Sequence, residues 1–210
     1  MVDVVRVLLV RFPKTWALRD LAKEAGVSLG HASNVSKTLI KERLALRTSA
    51  RSELKLMNPS DLLKRWATVN NFVANTTFVE YYSKEEDISK FFKKFQGKNG
   101  KEYAFTGLAG ALLFEPFVRP TNVHIYVKTE TDAKEWGNRL DLMPIEENGN
   151  VKFAIAKSEG VFYGAKEIIG VKVVSDVQLY VDLLNYPARG KEAAEEVYKT
   201  IEKRWKNAEV

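Results

Sequence analysis

The stretch Leu18-Arg-Asp-Leu-Ala-Lys-Glu-Ala-Gly-Val-Ser28 decides the fold of the N-terminal third of this chain. Its apolar residues recur at helical spacing, at Leu18, Leu21, Ala22 and Ala25. Gly26 then supplies the left-handed backbone conformation that commonly ends a helix. Ser28 is a good N-cap for a following helix, because its hydroxyl can accept a hydrogen bond from a free backbone N–H. The stretch therefore predicts two helices joined by a tight glycine turn.

The second of these helices is predicted to have one buried face and one polar face. The buried face would consist of Ala32, Val35, Ser36 and Leu39. A helix that displays hydrogen-bonding side chains after such a turn can enter the major groove of DNA. Asparagine suits adenine and lysine suits guanine, so this polar face could read bases. We predict DNA contacts from Ser28, His31, Ser33, Asn34, Lys37, Thr38 and Lys41.

The flanking segments complete a winged helix-turn-helix over roughly residues 4 to 57. An apolar helix over residues 4–10 precedes the quoted stretch and ends at Phe12-Pro13, since proline cannot continue the helical hydrogen bonds. Thr15 is a candidate cap for the next helix. Two strands, at 44–48 and 53–57, would form the wing. We predict that Arg47, Arg51 and Lys55 in this hairpin contact phosphates.

The charge distribution agrees with a polyanion-binding module at the N-terminus. Residues 1–66 hold 13 Lys and Arg against 6 Asp and Glu, whereas residues 67–210 hold 20 against 21. The helix-turn-helix pattern strongly resembles that of bacterial and archaeal winged-helix regulators, which implies binding to double-stranded DNA. Some modules of this kind bind proteins or RNA instead, and that alternative stays open.

The amino-acid composition argues against several kinds of functional site. The chain has no cysteine and only two histidines, His31 and His124, so disulfides, thiolate metal sites and a histidine cage are not expected. No apolar run approaches the length of a membrane span, and the N-terminus lacks the order of a secretion signal. We therefore expect a cytoplasmic protein with no metal, no cofactor and no membrane contact.

The rest of the chain predicts a second domain, giving an α+β protein. Residues 1–58 would be the DNA-binding domain, 59–75 a connecting helix and 76–210 a mixed α/β domain. The connecting helix could pack between domains or pair with a second copy in a homodimer. Strands are predicted at 77–82, 103–105, 123–127, 140–145, 151–156, 161–163 and 171–174. Helices are predicted at 85–96, 108–114 and 131–139, and starting at 176 and 191.

No catalytic motif is found in this second domain. Residues 106–111 lie between a strand and a helix but fit no phosphate-binding motif. Nucleotidyltransferases carry two metal-binding carboxylates on the following strand, whereas residues 122–127 contain none. Asp141, Asp176 and Asp182 are expected to be solvent-facing or to cap helices. We predict no catalytic residues.

The chain resembles the AbiEi-type antitoxins of type IV toxin–antitoxin systems in the order of its segments. These segments are a basic winged helix, then residues 103–113, 123–127, 174–184 and 186–194. The resemblance implies a repressor of its own operon that opposes a nucleotidyltransferase-like toxin without a stable complex. It also implies that the second domain carries the antitoxin activity. Asp182, Arg189 and Lys191 are the charged residues of the matching segment.

Two other functions remain open. The chain could be a ligand-sensing repressor whose α/β domain binds a small molecule, which stabilisation by a metabolite would reveal. It could also be a nucleotidyltransferase relative fused to a DNA-binding domain, which metal-dependent nucleotide transfer would reveal.

Overall fold

The structure, a computed structural model, describes residues 1–47, 49, 52–97, 100–114, 120–187 and 189–208. It is an α+β protein, as predicted, with helices packed on two separate sheets. Within the described residues, no helix has the length and the apolar character needed to cross a membrane.

Three helices and a small sheet form the N-terminal part. They are α1 (Val2–Val10), α2 (Leu18–Glu24), α3 (Leu29–Lys41), β1 (Ala45–Leu46) and β2 (Lys55–Leu56). β1 and β2 pair antiparallel, with Ala45 opposite Leu56. An isolated antiparallel bridge joins Trp16 to Leu54. This bridge ties the loop between α1 and α2 to the hairpin.

The second part is built around a mixed seven-stranded sheet. Two helices, α4 (Pro59–Val69) and α5 (Phe72–Asn75), precede this sheet in the chain. Its strand order is β6-β3-β7-β5-β4-β9-β8. The strands are β3 (Thr77–Tyr82), β4 (Tyr103–Thr106), β5 (Val123–Val127), β6 (Met143–Pro144), β7 (Val151–Ile155), β8 (Lys166–Ile168) and β9 (Val171–Val173). The remaining helices are α6 (Ile88–Lys93), α7 (Gly107–Phe114), α8 (Glu130–Arg139), α9 (Asp176–Leu184) and α10 (Gly190–Ala208).

The central strands of the large sheet are buried on both faces. Phe105 and Ile125 belong to a core formed with α6 and α8. Their neighbours Ala104 and Tyr126 belong to a core formed with α1, α9 and α10. Because successive side chains of a strand point to opposite faces, helices on both sides are needed to cover this sheet.

The N-terminal helices share the second of these cores. The indole N–H of Trp205 in α10 donates to the carbonyl of Leu9 at 3.3 Å, and Arg204 donates to the carbonyl of Val10 at 3.2 Å. The end of α1 is therefore held by the last helix of the chain. A division at residues 58 and 75 stays a prediction.

Local capping explains where several elements begin and end. Asp87 accepts hydrogen bonds from the N–H groups of Ser89 and Lys90, so α6 begins after it and not at residue 85. The predicted helix over 59–75 is interrupted after Val69, where the amide of Asn185 donates to the carbonyls of Ala67 and Asn70. A side chain far away in sequence thus satisfies the end of α4.

Two further predictions about local structure were wrong, and one strand was missed. Thr15 does not cap α2, because its hydroxyl is taken by Glu53, and Ala17 holds the N-cap position without a side-chain bond. The strand predicted at 161–163 is a 3₁₀ turn, Glu159–Phe162, capped by the hydroxyl of Ser158. The strand β8 was not predicted, since two of its three residues are charged.

Candidate nucleic-acid interface

The helix α3 has the two faces that the sequence predicts. The hydroxyl of Ser28 accepts a hydrogen bond from the N–H of His31 at 3.2 Å, which caps the helix. The residues predicted to be buried are buried: Ala32, Val35, Ser36 and Leu39. On the opposite side, Asn34, Lys37 and Lys41 are exposed. Their spacing of three and four residues places them along one stripe of the helix surface.

The other predicted contacts of α3 are partly engaged within the protein. Thr38 is half-buried, and its hydroxyl donates to the carbonyl of Asn34 at 3.1 Å. Ser33 is also half-buried. His31 is exposed, and its Nε2 lies 2.7 Å from the amino group of Met1. The structure therefore brings Asn34, Lys37 and Lys41 together as the accessible stripe, with Ser33, His31 and Thr38 at its flanks.

The hairpin has one exposed cation and one half-buried cation that hydrogen-bonds to the backbone. Lys55 on β2 is exposed. Arg47 is half-buried, and its Nε donates to the carbonyl of Ser52 at 2.8 Å. Arg51 lies outside the described residues.

The N-terminal part carries an uncompensated positive surface. Among the described residues, six cations of this part have neither an acidic partner nor an aromatic ring beneath them, as Lys14 has in Trp16: Arg19, Lys23, Lys37, Lys41, Arg43 and Lys55. Two of the nearby acids are already engaged, since Glu42 pairs with Arg65 at 3.2 Å and Glu53 accepts from Thr15. Exposed cations without partners are available to phosphates.

Three of these cations were not predicted. Arg19 and Lys23 are exposed on α2 four residues apart, a spacing that places them on one side of the helix. Arg43 follows α3 with a positive φ of 59°, so its backbone turns sharply there. The i, i+4 spacing of the first two could have been read from the sequence, whereas the turn at Arg43 could not.

A buried polar network connects α1 to the second half of the chain. Arg6 is only 3% exposed, pairs with Asp3, and donates from Nε to Gln178 at 2.9 Å. Gln178 donates in turn to Asp182 at 2.8 Å. Burial lowers the pKa of Arg6, and the adjacent Asp3 opposes that change. The orientation of α1 is therefore set by specific polar contacts as well as by apolar packing.

The expectation that Asp182 is solvent-facing or a helix cap was wrong. It is 1% exposed on α9 and accepts hydrogen bonds from Thr106 at 2.7 Å and Tyr126 at 3.3 Å. Burial raises the pKa of Asp182 to about 7, although its hydrogen bonds act in the other direction. α9 is buried on nearly all sides, which is why a polar residue in it lies in the core.

Asp176 is also buried, although it begins α9 as the sequence predicts. Its carboxylate accepts from Arg204 Nε at 3.0 Å and pairs with Lys166 at 3.5 Å. This ion pair links the start of α9 to α10.

The strand β5 carries a histidine where a nucleotidyltransferase would need carboxylates. His124 is buried, its Nδ1 has no hydrogen-bond partner, and burial lowers its pKa to about 4. Its ring lies edge-on to Phe72, Phe78 and Tyr186. In the part of the chain that the structure describes, no three His, Asp or Glu side chains are grouped so as to hold a metal ion.

Comparison with known proteins gives a family match. The family model described as "Transcriptional regulator, AbiEi antitoxin, Type IV TA system" matches residues 55–203. No curated protein and no solved structure matches the chain significantly. The match runs from β2 into α10, so of the predicted DNA contacts only Lys55 falls within it.

Proposed function

The chain belongs to the AbiEi antitoxin family of type IV toxin–antitoxin systems, and we propose that it represses its own operon by binding double-stranded DNA through a winged helix. In this proposal residues 1–58 are the DNA-binding domain, residues 59–75 the connection and residues 76–210 the antitoxin domain. The protein acts in the cytoplasm, without catalysis, against a nucleotidyltransferase-like toxin.

The observation that carries the proposal is the unpaired positive surface around α3. Lys37 and Lys41 lie on the same stripe as Asn34, and Lys55 extends from the hairpin beside it. In a winged helix the stripe would face base edges, while the surrounding cations would contact phosphates. Phosphate contacts give affinity without sequence preference, so the preference would come from the stripe.

A salt-dependent titration tests DNA binding. The protein is titrated against its own upstream region and a scrambled duplex at about 50 and 200 mM salt. We expect tighter binding to the native sequence and a steep loss of affinity with salt. Failure to bind either duplex would contradict the proposal and leave the N-terminal part as a protein-interaction module.

A pair of double variants assigns the binding to α3. Lys37→Ala with Lys41→Ala should weaken binding to the native upstream region more than binding to the scrambled duplex, since both lysines lie on the stripe that would face base edges. Lys199→Ala with Lys203→Ala is the matched control, because these lysines are also four residues apart on a helix. The control should leave both affinities unchanged.

The antitoxin activity should be separable from repression. The double variant of Lys37 and Lys41 should lose repression of a reporter but still rescue growth when the toxin from the same operon is co-expressed. Loss of rescue at an unchanged protein level would contradict the assignment of antitoxin activity to residues 76–210.

A homodimer is also part of the proposal. Val69 at the end of α4 is 78% exposed and borders an apolar groove of about 180 Å³ lined by α1, α3 and α4. Pairing of two chains there would cover the groove. Light scattering should give twice the mass of the 23.8 kDa chain, and Val69→Lys should reduce it to the monomer.

One observation favours a second candidate, the ligand-sensing repressor. A cleft of about 220 Å³ lies between α1 and the large sheet, with Arg6, Trp66 and Gln178 among its lining residues. A small molecule bound there would contact both halves of the chain. Thermal stabilisation by a metabolite would support this candidate, and no response to a broad panel would count against it.

A further inference from the structure

We propose that the first turn of α3 reads a thymine of the target DNA through its 5-methyl group, with Leu29 as the contact and Gly30 as the clearance. The inference rests on the proposed DNA binding and goes further by naming a base and the residues that recognise it.

Leu29 is an apolar side chain at the exposed start of α3. It is 45% exposed, whereas the other exposed side chains of the helix are polar. Side chains in a helix lean toward its N-terminus, so Leu29 projects over the first turn. When a helix presents that turn to the major groove, a leucine there meets base edges.

Gly30 leaves a gap beside Leu29 that the protein itself does not require. A Cβ built on Gly30 would have no heavy atom within 4 Å, and its φ is not positive. Glycine within a helix is less favourable than alanine, and here neither packing nor backbone geometry explains its presence. Gly30 lies four residues before Asn34 on the accessible stripe, which places the gap toward the DNA.

Thymine is the base that fits an apolar side chain beside a gap. Its 5-methyl is the bulky apolar group that base pairs present in the major groove, beside hydrogen-bond donors and acceptors. Leu29 can bury that methyl, and without a Cβ at Gly30 the base can come close to the helix backbone.

The test removes the methyl from the DNA. The bound site is first mapped by footprinting on the upstream region, and each thymine in it is then replaced singly by deoxyuridine, which differs only by lacking the methyl. We expect one position at which this replacement weakens wild-type binding about fourfold, the effect of exposing one methyl group. In Leu29→Ala the replacement at that position should have no effect.

Leu46→Ala is the matched control, since Leu46 is the same residue type, lies outside α3 and is 46% exposed. It should keep the wild-type sensitivity to deoxyuridine. The proposal is overturned if no thymine is sensitive in the wild type, or if Leu29→Ala keeps the full sensitivity, as it would if Thr38 or another group made the contact. If the wild type does not bind its upstream region at all, the proposed function fails as well, so the two failures can be told apart.

The variant Gly30→Ala tests the clearance independently. The added methyl meets no protein atom, so the melting temperature should stay equal or rise, while the affinity for the upstream region should fall several-fold. Unchanged affinity in this stable variant would overturn the role of Gly30.

Discussion

Because the imidazole of His124 is buried, we expect the free energy of unfolding to fall in acid. We consider His124→Phe, which keeps an aromatic ring among Phe72, Phe78 and Tyr186 and removes the unpartnered Nδ1. The unfolded chain takes up a proton near pH 6.5, whereas burial holds the folded pKa at about 4. Between these values the unfolded state binds more protons, so the wild type loses stability as the pH falls from about 6.5 to about 4.

The size of this loss follows from the two pKa values. A difference between 6.5 and about 4 corresponds to about 3 kcal/mol in the free energy of unfolding. Urea unfolding of wild type and His124→Phe is measured at intervals from pH 4 to pH 8. Relative to the variant, the wild type should be about 3 kcal/mol less stable at pH 4 than at pH 7.5. Other titrating groups occur in both proteins and cancel in the difference.

Parallel pH dependence of the two proteins would refute this reasoning, because it would mean that the imidazole titrates alike in the folded and unfolded chain. The variant should also be at least as stable as the wild type near pH 7, since it no longer buries an unsatisfied polar atom.

Three further predictions concern other parts of the molecule. Asn34→Ala combined with Lys37→Ala should weaken binding to the upstream region far more than to a scrambled duplex, because a bidentate base contact contributes about 1–3 kcal/mol of discrimination; an equal loss on both duplexes would contradict base reading. Ser28→Ala should lower the free energy of unfolding by about 1 kcal/mol through loss of the α3 cap, as urea unfolding can measure. Asp182→Asn should reveal a pH dependence of stability opposite in sign to that of His124. Burial raises the pKa of Asp182 in the folded chain from 3.8 to about 7, so the wild type should lose stability relative to this variant as the pH rises from about 4 to about 7.

The opposite signs of these two groups have a consequence for the wild type. His124 destabilises the fold toward acid over nearly the same pH range in which Asp182 becomes favourable. The two contributions largely cancel, so the wild-type protein should show a shallow pH dependence between pH 4 and 7. Each single variant should reveal the contribution of the remaining group.

Local sequence determined the helix that carries the proposed interface. The buried face of α3 and its cap at Ser28 depend on residues three or four positions apart, and such contacts recur in any chain with that pattern. The excess of Lys and Arg in residues 1–66 and the resemblance that the family match confirms over residues 55–203 were also readable without coordinates.

Only the tertiary structure decided which of these polar residues are available. Thr15 looks like a helix cap in the sequence, but in the folded chain its hydroxyl donates to Glu53, 38 residues away. Asp182 looks like a surface carboxylate until α9 is enclosed between the sheet, α1 and α10. Arg6 reaches Gln178 across 172 residues of sequence. Helical periodicity arises from near neighbours, whereas burial and polar pairing depend on which distant segments meet, and no local pattern encodes that meeting.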